Sequence, residues 1–147
     1  MTINRGLFSS ATGEWSTPQA LFDSLDAEFH FTLDPCATTE NAKCAAFFTK
    51  EQDGLRQPWS GVVFCNPPYG RQIAFWIEKA WMEWWFHGVT VVLLIPARTD
   101  TEWWQNYIWS YDRLLASEIR FLKGRVRFGN GKCGAPFPSA IVVFRGR

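Results

Sequence analysis

The sequence predicts a single α/β domain over residues 1–147: a parallel or mixed sheet with helices on both faces. Three observations carry this expectation. The length of 147 residues suits about one domain. Gly61 to Cys65 and Val89 to Ile95 are continuous apolar runs, the mark of strands covered on both sides. Between them, Ile73, Trp76, Ile77, Ala80, Trp81 and Trp84 fall on one helical stripe. Buried strands alternating with amphipathic helices imply such a sheet, and ligands then bind beyond the carboxyl ends of its strands.

Taken in order, residues 1–13 read as a loose lead-in. Thr17-Pro18 starts a helix, with Thr17 as cap and Pro18 in the first turn. Leu21, Phe22 and Leu25 continue it to about Ala27. Phe29 to Leu33 alternates as a short strand and stops at Asp34-Pro35. Thr38 to Ala46 suits a short helix, and Asp53-Gly54 a turn. The strand at Gly61–Cys65 ends abruptly at Asn66-Pro67-Pro68-Tyr69-Gly70. The striped helix ends at Gly88, and the strand Val89–Ile95 follows. Thr99 or Asp100 caps a helix reaching about Ser110. Leu114–Ala116, Glu118–Leu122, Arg125–Phe128 and Ala140–Phe144 read as strands.

Hydrophobic residues at 47% and charged residues at 20% exclude a disordered chain. The longest apolar run is broken at Pro96, far short of a membrane span. Met1–Ser10 carries no basic region followed by an apolar stretch, so a cytoplasmic location is expected. The cysteines at 36, 44, 65 and 133 form no CxxC pair, and the only histidines are His30 and His87. No metal site is expected, and the thiols read as reduced core residues.

Aromatic residues reach 17%. Most belong in a tryptophan-rich core, with Trp85 and Trp103 or Trp104 as candidates for exposure; the surplus suits stacking on planar ligands. Charge is uneven. Net charge is +1 overall, yet Arg113–Arg147 holds eight basic residues and one acidic one, Glu118. A basic segment of this kind suits a surface that tracks phosphates. Arg120, Lys123, Arg125, Arg127 and Lys132 are its candidates, with Arg125 and Arg127 on one strand face.

The Asn66-Pro67-Pro68-Tyr69 loop has specific chemistry. Pro67 and Pro68 have fixed φ and no N–H, so the loop is stiff and its carbonyls are not quenched by those two residues. Asn66 adds a side-chain acceptor, and Tyr69 adds a ring. Such a corner suits a planar substrate bearing an NH₂ group. An aromatic amine is a poor nucleophile because its lone pair is delocalised. Hydrogen bonds from its protons to Asn66 Oδ1 and the Pro67 carbonyl would turn the nitrogen toward tetrahedral geometry and free the lone pair, while Tyr69 stacks on the ring.

Asn66-Pro67-Pro68-Tyr69 resembles the catalytic motif of S-adenosylmethionine-dependent amino-methyltransferases that act on adenine in nucleic acid. The wider pattern resembles the small phage-type DNA adenine methyltransferase (Dam) family. It comprises Trp15-Ser16-Thr17-Pro18, Leu33-Asp34-Pro35-Cys36-Ala37, Asn41-Ala42-Lys43-Cys44, Asp53-Gly54-Leu55, Trp59, the Asn-Pro-Pro-Tyr-Gly loop, Ile95-Pro96-Ala97-Arg98 and Gly124-Arg125-Val126-Arg127-Phe128-Gly129.

The resemblance implies a Rossmann-like methyltransferase sheet, pared down between the first strand and the Asn-Pro-Pro-Tyr strand. It implies methyl transfer to the exocyclic amine of adenine in double-stranded DNA, with the base flipped into the pocket. Asn66, Pro67, Pro68 and Tyr69 are then catalytic. Asp34, Pro35 and Cys36 lie against the methionine part of the cofactor, packed by Trp15, Thr17 and Pro18, with Asn66 also at the cofactor. Asp53 reads the cofactor's adenine amine, although an Asp-Gly turn accounts for it equally. The Asp34–Glu40 loop has no glycine, a departure from the glycine-rich cofactor loop usual in methyltransferases. Lys123, Arg125 and Arg127 contact the DNA backbone, and no separate recognition domain is expected. Methyl transfer to RNA bases or to a protein glutamine amide, or an inactive DNA-binding relative, are the alternatives.

Overall fold

The computed structural model describes residues 16–129 and 134–147. Its centre is a six-stranded sheet in the order β2-β1-β3-β4-β8-β7, made of β1 (Leu33–Asp34), β2 (Ala46–Phe47), β3 (Val62–Cys65), β4 (Thr90–Pro96), β7 (Glu118–Phe121) and β8 (Ser139–Phe144). The first four strands are mutually parallel, while β8 runs antiparallel to both β4 and β7. A hairpin of β5 (Trp109–Ser110) and β6 (Arg113–Leu114) forms a second, two-stranded sheet.

Strand alternation divides the core between two faces. On one, Val63, Cys65, Val91, Leu93, Ile95, Val142 and Phe144 pack against α2 (Ile73–His87) and α3 (Glu102–Tyr107). On the other, Phe64, Val92, Leu94, Ile141 and Val143 meet Phe22 and Leu25 of α1 (Gln19–Phe29), together with Phe128 and Phe137. Helices therefore cover both faces, as the apolar runs predict. Between β1 and β3 the chain forms only β2 and a 3₁₀ turn at Gly54–Arg56. No helix of the described residues is long and apolar enough to cross a membrane.

Several local expectations are corrected. α1 runs through Phe29 and ends where His30 turns left-handed, at φ 59, so the first strand is only Leu33–Asp34. Thr38–Ala46 is not a helix. One turn forms, closed by reciprocal bonds from Thr38 N–H to Asn41 Oδ1 (2.7 Å) and from Asn41 N–H to Thr38 Oγ1 (3.1 Å). The Lys43 N–H then goes to the Asp34 carboxylate (3.1 Å) instead of a helical carbonyl. Thr101, rather than Thr99 or Asp100, caps α3, its hydroxyl accepting from Trp104 N–H.

Arg125–Phe128 joins no ladder, yet Phe128 is buried while Arg125 and Arg127 are exposed. Trp103 and Trp104 are both buried, while Trp85 is exposed.

Candidate active site

From β1 the chain passes outward to β2, then returns to β3 on the other side of β1. Connections leaving a strand in opposite directions open a crevice at the carboxyl edge. Asp34 ends β1 and Asn66 follows β3, and these strands are neighbours, with Leu33 paired to Val63. The two loops singled out in the sequence thus meet at one edge.

Thr17 does not cap α1; Pro18 occupies the cap position with no side-chain bond. The buried Thr17 hydroxyl instead accepts from Asn66 Nδ2 (3.1 Å). At the other end of the amide, Tyr69 OH donates to Asn66 Oδ1 (2.9 Å) and lies 3.4 Å from the Leu94 carbonyl. Burial holds the Tyr69 phenol well above its usual range, so it keeps the proton it donates. Asn66 is gripped at both ends, and its carbonyl oxygen has two lone pairs. Pro67 is buried and Pro68 half-buried.

The Tyr69 ring is set edge-on against Phe137 (centroids 5.3 Å apart) and Phe128 (6.0 Å). Neither phenylalanine stood out in the sequence as a site residue. Phe128 stands in a basic stretch and Phe137 between two prolines, and only tertiary packing brings them to Phe64 and Tyr69.

Asp34 is only 4% exposed. Burial pushes its carboxyl up to about 6, against the opposing pull of backbone N–H donors from Lys43 and Cys36. Among the described residues, no cationic side chain forms an ion pair with it. A desolvated carboxylate of this kind favours a cationic ligand at the strand end. Beside it, burial and the Asp34 charge push the half-buried Cys36 thiol up to about 12. Cys44 is likewise pushed up to about 12. Both thiols stay protonated at neutral pH and do not act as nucleophiles.

Asp53 stands at φ 56, its Oδ1 accepting from Leu55 N–H (3.2 Å) and its Oδ2 lying 3.5 Å from Arg56 Nε. Its turn is docked on the Asp34 loop. A side chain at Gly54 would come within 2.1 Å of the Pro35 carbonyl oxygen, so Gly54 has to be bare. The loop that lacks its own glycine is approached by one from a later turn. Trp59 Nε1 locks that turn by donating to the Gly54 carbonyl (2.8 Å).

Lys123, Arg125 and Arg127 are exposed on the segment that carries Phe128 to Tyr69. Arg120 is not with them. It donates to Glu28 (2.7 and 2.6 Å) and Glu118 (2.6 Å) and lies over Phe29, so its charge is already spent within the protein. Trp15 and Lys132 lie outside the described residues, and among those described no group of three or more His, Cys, Asp or Glu is placed to hold a metal.

The edge therefore combines a buried carboxylate suited to a cation with a fixed amide carbonyl suited to an N–H donor. The DNA N-6-adenine-methyltransferase (Dam) family matches residues 7–142. A DNA N-6-adenine-methyltransferase of Haemophilus phage HP1 (strain HP1c1) is 32% identical over 139 residues, covering 88% of this chain and 77% of its own. The YfdM protein of Escherichia coli (strain K12) is 39% identical over 64 residues, covering 38% of this chain and 70% of its own. The chain belongs to the DNA N-6-adenine-methyltransferase (Dam) family.

Proposed function

We propose that this chain transfers a methyl group from S-adenosylmethionine to the exocyclic amine of adenine in double-stranded DNA, with the base flipped to the Asn66–Tyr69 corner. The observation that carries the reading is Asn66, fixed by Thr17 and Tyr69, one strand from a buried carboxylate. The order β2-β1-β3-β4, all parallel, supports a pared-down Rossmann-like methyltransferase sheet with its crevice between β1 and β3.

The donor set fits the cofactor. Asp34 accepts from its cationic amino group, and Pro35, Cys36, Thr17 and Pro18 pack that end. Asp53 reads the cofactor's adenine amine from a turn held against Pro35. When bound, the cofactor supplies an electrophilic methyl on a sulfonium. The protein's part is to prepare the acceptor. Asn66 Oδ1 and the Pro67 carbonyl accept hydrogen bonds from the two amine N–H groups, which draws the nitrogen toward tetrahedral geometry and exposes its lone pair. Tyr69 stacks on the base, its ring orientation fixed by Phe128 and Phe137. No dedicated general base is required, because an alkylated aromatic amine is a strong acid and sheds its proton readily. Lys123, Arg125 and Arg127 hold the DNA backbone, giving affinity and salt dependence without sequence choice.

The test is incubation of the full chain with tritiated cofactor and duplex DNA, RNA or protein acceptors. Label in the adenine N6 position of DNA is expected; label confined to RNA or protein rejects the reading.

A further inference from the structure

Arg98 follows β4, the next parallel strand after β3, and so lies at the edge that carries Asn66. Its backbone is held firmly. The Arg98 carbonyl accepts from Thr101 N–H (3.2 Å) and Thr101 Oγ1 (2.8 Å), and its own N–H donates to the Pro96 carbonyl (2.9 Å). The preceding Ala97 N–H donates to Pro138 (2.9 Å), which ties the residue to the segment bearing Phe137. The exposed side chain lies over the Phe137 ring, with the guanidinium carbon 5.6 Å from its centroid. That same ring abuts Tyr69.

Arg98 differs from Arg120 and Arg145, the two arginines bound into the far edge of the sheet. Arg120 and Arg145 are committed to Glu28 and Glu118. Among the described residues, no carboxylate pairs with Arg98. A ring face orients a guanidinium without using up its five N–H donors. What results is a fixed cation with donors to spare, one ring away from Tyr69. Planar donor forks of this kind bind phosphate well.

We propose that Arg98 contacts the DNA phosphate adjoining the extruded adenine and steadies the target strand at the mouth of the site. This rests on the reading that the Asn66 edge receives a DNA base. Its partner is an anion outside the duplex stack, so the contact adds affinity and salt dependence rather than base choice.

The experiment compares wild type, Arg98→Gln and Arg98→Lys. It measures binding to bulk double-stranded DNA against salt, KM for DNA in methyl transfer, cofactor affinity by calorimetry, and thermal midpoint. Arg98→Gln is expected to lower the slope of log K against log salt by about one unit and to raise KM for DNA about tenfold, with cofactor affinity and thermal midpoint as in wild type. Arg98→Lys, which keeps the point charge, restores the slope. An unchanged slope in Arg98→Gln overturns the proposal. So does lost cofactor affinity, which would assign Arg98 to the cofactor's carboxylate, and so does a slope that Arg98→Lys fails to restore. Wild type that neither binds nor methylates DNA would instead sink the reading of the site.

Discussion

Asn66 and Thr17 lie 49 positions apart in the chain and are joined by a 3.1 Å hydrogen bond from Asn66 Nδ2 to Thr17 Oγ1. The bond aims the amide, since whatever holds the nitrogen also directs the oxygen. Tyr69 completes the grip from the other end.

Thr17→Val keeps the shape of the side chain and removes the acceptor. Turnover is expected to fall about tenfold to a hundredfold, the order of loss that follows small misplacement of a reacting group. Thr17→Ser should recover most of it. Asn66→Ala should abolish methyl transfer while the fold and much of the cofactor binding persist. Single-turnover kinetics with calorimetric cofactor titration check all three, and undiminished turnover in Asn66→Ala would remove the mechanism.

Asp34 links cofactor binding to pH. Its carboxyl rises in the folded protein from an ordinary 3.8 to about 6, so the protonated form is favoured by folding. The stability this contributes is complete below 3.8 and is lost as pH rises through about 6. At about 1.4 kcal/mol per pH unit, ionising the group costs about 3 kcal/mol at neutral pH. A cationic ligand needs the ionised form, so cofactor affinity should decline as pH drops through 6. Asp34→Asn should raise the thermal midpoint at pH 7 and lose cofactor affinity together. Thermal melts across pH with matched calorimetry test this; a variant melting lower than wild type at pH 7 would contradict the assigned cost.

Gly54→Ala places a carbon 2.1 Å from the Pro35 carbonyl oxygen. Backbone must shift, so a loss of about 1–3 kcal/mol is expected, along with weakened cofactor binding. Gly124→Ala is the control. There the φ of +74 strains a side chain, but nothing lies within 4 Å, and cofactor affinity should hold. Denaturant titration and cofactor binding separate the two variants.

Arg120 and Arg125 predict opposite outcomes from the same substitution. Arg125→Ala should weaken DNA binding and flatten its salt slope by about one unit. Arg120→Ala should leave the slope alone and slightly lower the thermal midpoint, because its guanidinium is bound to Glu28 and Glu118. Salt-dependent anisotropy on both variants checks this, and a flattened slope in Arg120→Ala would move the DNA surface.

Elements whose pattern is local can be read directly from neighbouring residues. The seven β-branched and leucine residues of Val89–Ile95 could only be a strand covered on both sides, and the stripe of Ile73, Trp76, Ile77 and Ala80 could only face a core; periodicity is written in neighbouring residues. The stiffness of Asn66-Pro67-Pro68-Tyr69 was equally legible, since proline fixes its own backbone. Roles that depend on distant partners are set by the fold. Thr38–Ala46 has a helical composition, but the Asp34 carboxylate takes the Lys43 N–H and the helix does not form. Thr17 has the chemistry of a cap and is used to hold Asn66. Arg120 has the charge of a phosphate contact and is neutralised by Glu28, 92 positions away. A side chain's chemistry is local, but its partner is chosen by which surfaces the sheet brings within about 3 Å, and no spacing along the chain encodes that choice.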